Sequence, residues 1–247
     1  LAVFHFTFIH KTDNMKKYIL TALVLVFLLA GYSQSDESSR DIRKVSGFHG
    51  VQVSGGIDLY VSTGQESVAV SAATASIRNH MITEVVNGIL RIHLEENWRP
   101  DAENPKMKAY VSAGTLDKLE ASGGGNIYIQ NELKAGDLTI RLSGGGNLKG
   151  KLNANHLVIG QSGGSNVDLS GNVSDLQVDA SGGANLHGYN LITDYTSIHA
   201  SGGCNSELTV NKELRVVASG GCDIYYKGGA SVKEIKTSGG GSVTHKD

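Results

Sequence analysis

The sequence predicts an all-β protein, a single-stranded parallel β-helix with coils of about 19 residues and a β-rich amino-terminal cap. Two observations carry this. SGGGN at Ser122 returns as SGGGN at Ser143, SGGSN at Ser162, SGGAN at Ser181, SGGCN at Ser201, SGGCD at Ser219 and SGGGS at Ser238, with spacings of 21, 19, 19, 20, 18 and 19 residues. A unit that short cannot bury its own core and must stack on its neighbours. The second observation is the period within each unit. Three residues before the Ser stand Leu119, Ile140, Ile159, Val178, Ile198, Val216 and Ile235. One before it stand Ala121, Leu142, Gln161, Ala180, Ala200, Ala218 and Thr237. Inward positions every second residue, with mixed polar residues between, are the signature of a half-buried strand and not of a helix.

The repeated glycines then become corners: Gly123-Gly124, Gly144-Gly145, Gly163-Gly164, Gly182-Gly183, Gly202-Gly203, Gly220-Gly221 and Gly239-Gly240, with an early cousin, Gly55-Gly56, in SGGID at Ser54. A short coil turns sharply, and stacked corners favour a residue that tolerates positive φ and close backbone approach. The next position is always small (Gly125, Gly146, Ser165, Ala184, Cys204, Cys222, Gly241) and reads as an inward site in a narrow cross-section. After it come Asn126, Asn147, Asn166, Asn185 and Asn205, then Asp223 and Ser242. Stacked Asn amides form ladders in repetitive β arrays, and Asn suits turns; the alternative is a polar stripe that contacts a ligand.

Residues 45–247 form the expected β-helix domain, with the cap and first coils in 45–118 and the regular coils in 119–247. Val51, Val53, Leu59 and Val61 fit the inward register, but 68 residues separate Ser54 from Ser122. That stretch contains an expected hairpin around Asn87-Gly88. It also holds both prolines and the single Trp, in a loop over 97–105. An atypical end hides the open edge of a stack.

Upstream, Met15-Lys16-Lys17 precedes the apolar run 18–30 and the small residues around Ser33. This reads as a secretory signal peptide, 15–33, cleaved before Gln34, with 34–44 a linker and 1–14 an artefact of start-site choice. The run is short for a membrane span, and no Cys follows it to take a lipid. The expected destination is the periplasm, cell surface or medium. Residues 34–247 carry 19 Lys+Arg against 23 Asp+Glu, a net charge of −4 with no basic run, which argues against a nucleic-acid partner.

Chemistry is sparse. Cys204 and Cys222 share one column in neighbouring coils, at a spacing that permits a disulfide in an oxidising compartment; equally, both serve as small apolar fillers. Calcium-binding glycine-rich rolls use a nine-residue unit with charged ligands. Here only Asp58 and Asp223 offer a carboxylate at the Asn position. The histidines fall in different columns with no metal-site spacing, so neither a metal nor a cofactor is expected. One constellation would suit a carbohydrate-active enzyme: Asp168, His187 and Glu207 stack six residues after their Ser. An ordinary mixed-charge strand face explains the same residues, and no long loop between 122 and 247 walls a cleft.

Phe48, Val51-Gln52-Val53-Ser54-Gly55-Gly56-Ile57-Asp58-Leu59, the strand Gly88-Ile89-Leu90-Arg91-Ile92 and the serial Ser-Gly-Gly-x-Asn corners resemble the family called putative auto-transporter adhesin, head GIN domain. The resemblance covers residues 45–245, with Gly56-Ile57-Asp58 standing where Gly-Ile-Asn is expected. It implies a right-handed β-helix, export in Bacteroidetes-type bacteria and an adhesive role, and supplies no catalytic residues. An auto-transporter also needs a carboxy-terminal membrane barrel, and the chain ends at Asp247 without one. The expected function is therefore non-enzymatic presentation of a polar face to a glycan or an envelope protein. A structural role in envelope assembly is the second reading, and a carbohydrate-active enzyme the third.

Overall fold

Alternation along Leu138-Thr139-Ile140-Arg141-Leu142 puts Leu138, Ile140 and Leu142 in the core and leaves the residues between them on the outside. The computed structural model of the chain describes residues 40–247; the expected upstream piece, the signal peptide and residues 34–39 of the linker lie outside the described residues. Each regular coil is almost continuous strand. Chain order gives β10 (Leu133–Gly144), β11 (Asn147–Gly163), β12 (Asn166–Gly182), β13 (Asn185–Gly202) and β14 (Asn205–Gly220), each parallel to the next. The stack ends with β15 (Asp223–Lys227), β16 (Ser231–Ser238) and β17 (Ser242–His245). Register is strict at the repeat, with Ile140 beside Ile159, Ile159 beside Val178 and Val178 beside Ile198. Each such Ile or Val adds about 1.5–3 kcal/mol relative to an exposed one.

The chain does not stack in sequence order at its amino-terminal end. Here β2 (Gly50–Val53) lies between β6 (Ile89–Leu94) and β8 (Lys118–Ala121), parallel to both. Likewise β3 (Asp58–Thr63) lies between β7 (Lys108–Ala113) and β9 (Ile127–Ile129). The coil at Ser54 therefore sits directly on the coil at Ser122, and residues 67–113 form the layer on its far side. That layer is closed by antiparallel strands: β5 (Met81–Val86) on β6, β4 (Ser67–Ser71) on β7, and β1 (Asp41–Ile42) on β4. Asn87 and Gly88 both take positive φ in the turn between β5 and β6, as a tight hairpin requires. The short helix α1 (Ala75–Asn79) is capped by Thr74, whose Oγ1 accepts from the Ile77 amide at 3.2 Å, and it buries Ile77 under the end of the core. Among the described residues no helix is long and apolar enough to cross a membrane.

The corners separate two glycines that the sequence reading treats alike. The first of each pair takes positive φ, for example +78° at Gly163, and a Cβ there would lie 2.4 Å from the Gly144 carbonyl oxygen of the preceding coil. Gly56 and Gly124 take positive φ as well, but in the regular coils from Gly164 to Gly221 the second glycine serves through its backbone. Gly164 donates its N–H to Gly144 O at 3.0 Å, Gly183 to Gly163 O at 2.9 Å and Gly221 to Gly202 O at 2.7 Å. At Gly164 a Cβ would meet nothing within 4 Å, and φ is not positive. Gly171, outside the motif, is as constrained as Gly163: its φ is +119° and its Cβ would overlap the Leu152 carbonyl.

Gly163→Ala is accordingly expected to lower unfolding free energy by about 2–4 kcal/mol, combining a left-handed backbone with overpacking. Gly164→Ala should be neutral or stabilising by up to about 1 kcal/mol, because it restricts only the unfolded chain. Urea denaturation of the two variants side by side checks the difference; equal losses would contradict it.

Candidate ligand-binding face

The strand segment after each Ser-Gly-Gly corner carries two outward columns. In the first, amides form a directional ladder. Asn147 Nδ2 donates to Asn126 Oδ1 at 2.7 Å, Asn166 to Asn147 at 3.0 Å, Asn185 to Asn166 at 2.8 Å and Asn205 to Asn185 at 3.2 Å. Every donor points toward the amino-terminal end, so the first member of the ladder need only accept. That member is Asp58, whose Oδ1 takes both Asn126 N at 3.0 Å and Asn126 Nδ2 at 2.7 Å. At Asp223 no side-chain donor exists to continue the ladder. Its Oδ1 instead accepts from Ser242 N at 3.1 Å and Ser242 Oγ at 2.7 Å, beginning a second short run. Both carboxylates considered for calcium are thus engaged in the ladder. Among the described residues no group of three or more His, Cys, Asp or Glu could hold a metal ion.

A second ladder obeys the same rule and has no counterpart in the sequence reading. Glu132 accepts from Asn153 Nδ2 at 2.6 Å, and Asn153 Oδ1 accepts from Asn172 N at 2.9 Å and Nδ2 at 3.1 Å. Again the carboxylate stands at the amino-terminal start. The Lys151 ammonium, 3.1 Å away, and then the Asn153 amide hold the Glu132 carboxyl below the usual Glu value.

The second outward column runs Tyr110, Tyr60, Tyr128, Lys149, Asp168, His187, Glu207, Tyr225, each beside the next in register. The three tyrosines stack at 5.2 and 4.8 Å between centroids, and Arg40 covers Tyr110 at 3.9 Å. Their ring faces are spent on one another, which leaves edges for a ligand. Burial, first among several influences, raises the Tyr60 and Tyr128 hydroxyls above the usual Tyr value. Asp168, His187 and Glu207 do lie side by side. Asp168 pairs with Lys149 at 3.6 Å and His187 Nδ1 with Glu207 Oε2 at 3.1 Å, all on an open strand face. They make an ion-paired ridge on that face.

One groove, of about 360 Å³, lies on the strand face before the corner and crosses several coils. Its polar wall is Glu120, Arg141 and Asp179, with Ser122, Ser143 and Ser162 along the corner side. Arg141 Nη1 pairs with Glu120 Oε1 at 3.2 Å, and the Arg141 stem lies against Gly160, where a Cβ would come within 3.3 Å of it. Gly160 opens the groove, because it is the one glycine in an outward column otherwise filled by Glu120, Arg141, Asp179, His199, Val217 and Lys236. The interruption shows in the sequence as a single glycine among larger outward side chains.

The two cysteines are inward, fully buried and unbridged. Each thiol donates back to its own corner, Cys204 to Ser201 O and Cys222 to Ser219 O, both at 3.2 Å. Side chains at matched positions of parallel coils run side by side, a poor approach for a disulfide. Burial, and then the neighbouring Cys222, push the Cys204 thiol up.

A stack of parallel coils with ordered polar columns and a shallow charged groove defines a β-solenoid that presents side chains on a rigid outer surface. The family described as putative auto-transporter adhesin, head GIN domain, matches residues 47–230, and the chain belongs to it. A search of curated proteins gave no match. Among solved structures, a putative adhesin from Bacteroides fragilis is similar with a TM-score of 0.77 at 19% identity, covering 84% of this chain and 96% of that one. A putative adhesin from Parabacteroides merdae is similar with a TM-score of 0.69 at 16% identity, over 85% and 96%. A putative lipid binding protein from Parabacteroides distasonis is similar with a TM-score of 0.66 at 16% identity, over 85% and 98%. At these identities the likeness is one of fold.

Three outcomes are expected. Asn147→Asp should cost about 1–3 kcal/mol, since a carboxylate cannot donate to Asn126 and two oxygens would face each other. Asp58→Asn should cost less, roughly 0.5–1.5 kcal/mol, because the amide oxygen can still accept; chemical denaturation ranks the pair. Thiol titration under native conditions should find Cys204 and Cys222 unreactive, and both should become free thiols in denaturant without reductant. A mass two hydrogens lower before reduction would mean that they are bridged.

Proposed function

We propose that this chain is an exported, non-catalytic adhesin that captures a glycan on its outer strand face. The observation that carries the reading is the groove over Gly160. It joins a guanidinium, two carboxylates and three serine hydroxyls along one line, Arg141 with Glu120, Asp179, Ser122, Ser143 and Ser162. Such a row matches hydroxyl-rich chains, which need many modest hydrogen bonds on a preorganised surface. Parallel pairing with the coils on either side holds the row in place. The Asp168–His187–Glu207 ridge supports no catalytic role on this reading, because a general acid works from an enclosed position against a bound substrate. Membership in a family of adhesins agrees with export and surface display. A structural part in envelope assembly is the second reading, and the uncovered carboxy-terminal coil favours it, with Ile235 46% exposed.

Protease accessibility on intact cells, with a periplasmic marker as control, tests the location. Degradation from outside is expected, and protection until the outer membrane is opened would sink the adhesin. A glycan array should then show a defined preference that Arg141→Glu reduces by about tenfold or more. An unchanged profile in that variant would exclude the groove.

A further inference from the structure

The two ends of the stack are finished differently. At the amino-terminal end β4, β5 and α1 lie over the first layer, and Met81 and Ile77 seal the core. At the other end the inward column that is buried at Ile140, Ile159, Val178, Ile198 and Val216 arrives at Ile235 with 46% of its surface exposed, joined by Val232 at 39%. β16 pairs only with β14 and β17 only with β15, so among the described residues both offer an unpaired edge. An apolar patch framed by free strand edges is a template for another strand.

The charge order on β16 says which strand fits. Its sequence is Ser231-Val232-Lys233-Glu234-Ile235-Lys236-Thr237-Ser238. Glu234 and Lys236 flank Ile235, and within one chain they pair at 2.6 Å. Laid antiparallel on a second copy about Ile235, Glu234 of one chain faces Lys236 of the other, twice, while the two Ile235 side chains meet. Laid parallel in register, like charges would face each other instead. Charges on an edge strand ordinarily discourage pairing; this pattern disfavours the in-register parallel arrangement and favours the antiparallel one centred on Ile235. A two-fold axis perpendicular to the stack delivers that antiparallel arrangement and closes the assembly at two copies. Head-to-tail growth is blocked by the cap.

We propose that the carboxy-terminal coil is a self-complementary interface, through which two copies dock tail to tail by antiparallel pairing of β16. Lys233, the extra residue of a bulge opposite Leu214 and Arg215, interrupts the regular strand and limits the pairing to the segment from Glu234 onward. This inference is independent of any glycan site, since the groove lies several coils away along the chain. The assembly would hold two sets of outer faces on one rod, pointing away from a shared centre.

Sedimentation equilibrium over a range of protein concentrations tests it, with circular dichroism to confirm the β fold. The protein should dimerise. Glu234→Lys alone, or Lys236→Glu alone, should weaken the dimer by about tenfold or more, since each sets like charges opposite each other. An equimolar mixture of the two single variants should recover the dimer, because position 234 of each then faces the opposite charge at position 236 of the other. The Glu234→Lys/Lys236→Glu exchange should also recover it. A monomer at all concentrations, a dimer indifferent to both single changes, or a mixture that fails to recover would each overturn the proposal. Should a single variant lose its β spectrum, the double exchange decides, by keeping or losing the dimer.

Discussion

The structure depends on coil-to-coil register. Each backbone amide of a regular coil finds its partner in the coil before or after it, so a coil has little reason to hold its shape alone. Everything else follows from keeping the corners superimposed. From Gly163 onward the first glycine of each pair is there because the carbonyl of the preceding corner occupies the space a Cβ would need, as Gly144 O does at Gly163. The second sends its N–H to that same carbonyl, as Gly164 does to Gly144 O, a bond that any residue but proline could make. One carbonyl thus excludes a side chain from one residue and receives a hydrogen bond from the next.

Register also gives the polar columns a direction. An amide ladder in which each member donates toward the amino-terminal end has one end that only accepts and one that only donates. Asp58 and Glu132 occupy the accepting ends of two separate ladders. Asp58 is thereby satisfied by amide donors, and Glu132 by the Lys151 ammonium together with an amide. The Asp in Gly56-Ile57-Asp58, a departure from the Asn of the later coils, is what the first rung calls for. Asp223 shows the converse: a carboxylate within the column interrupts donation and starts a new run with Ser242.

Much of this could be read from the residues. The spacing of Ser122, Ser143, Ser162, Ser181, Ser201, Ser219 and Ser238 set the coil length, and the inward columns through Ile140 and Leu142 set the strand period. What escaped was whatever depends on which segment lies beside which. The 68 residues after Ser54 carry a hairpin signal, but nothing local states that β2 is filled in between β6 and β8. The inequality of Gly163 and Gly164 depends on a carbonyl nineteen residues earlier in the chain and is invisible in a motif where both are glycine. The groove at Gly160 was legible in principle, as a missing side chain in an outward column, yet only neighbouring coils turn that absence into a space.

The interleaved first coil sets an order of events for a chain that is synthesised from its amino-terminal end. β2 and β3 emerge early but are central strands, with partners that lie later in the sequence on both sides. They cannot complete their pairing until the chain to Ile129 has appeared. From that moment a finished platform exists, and every further coil of about nineteen residues can be laid on it as it is delivered. Delivery of the chain and growth of the rod can then proceed in step, each new coil finding its edge already formed.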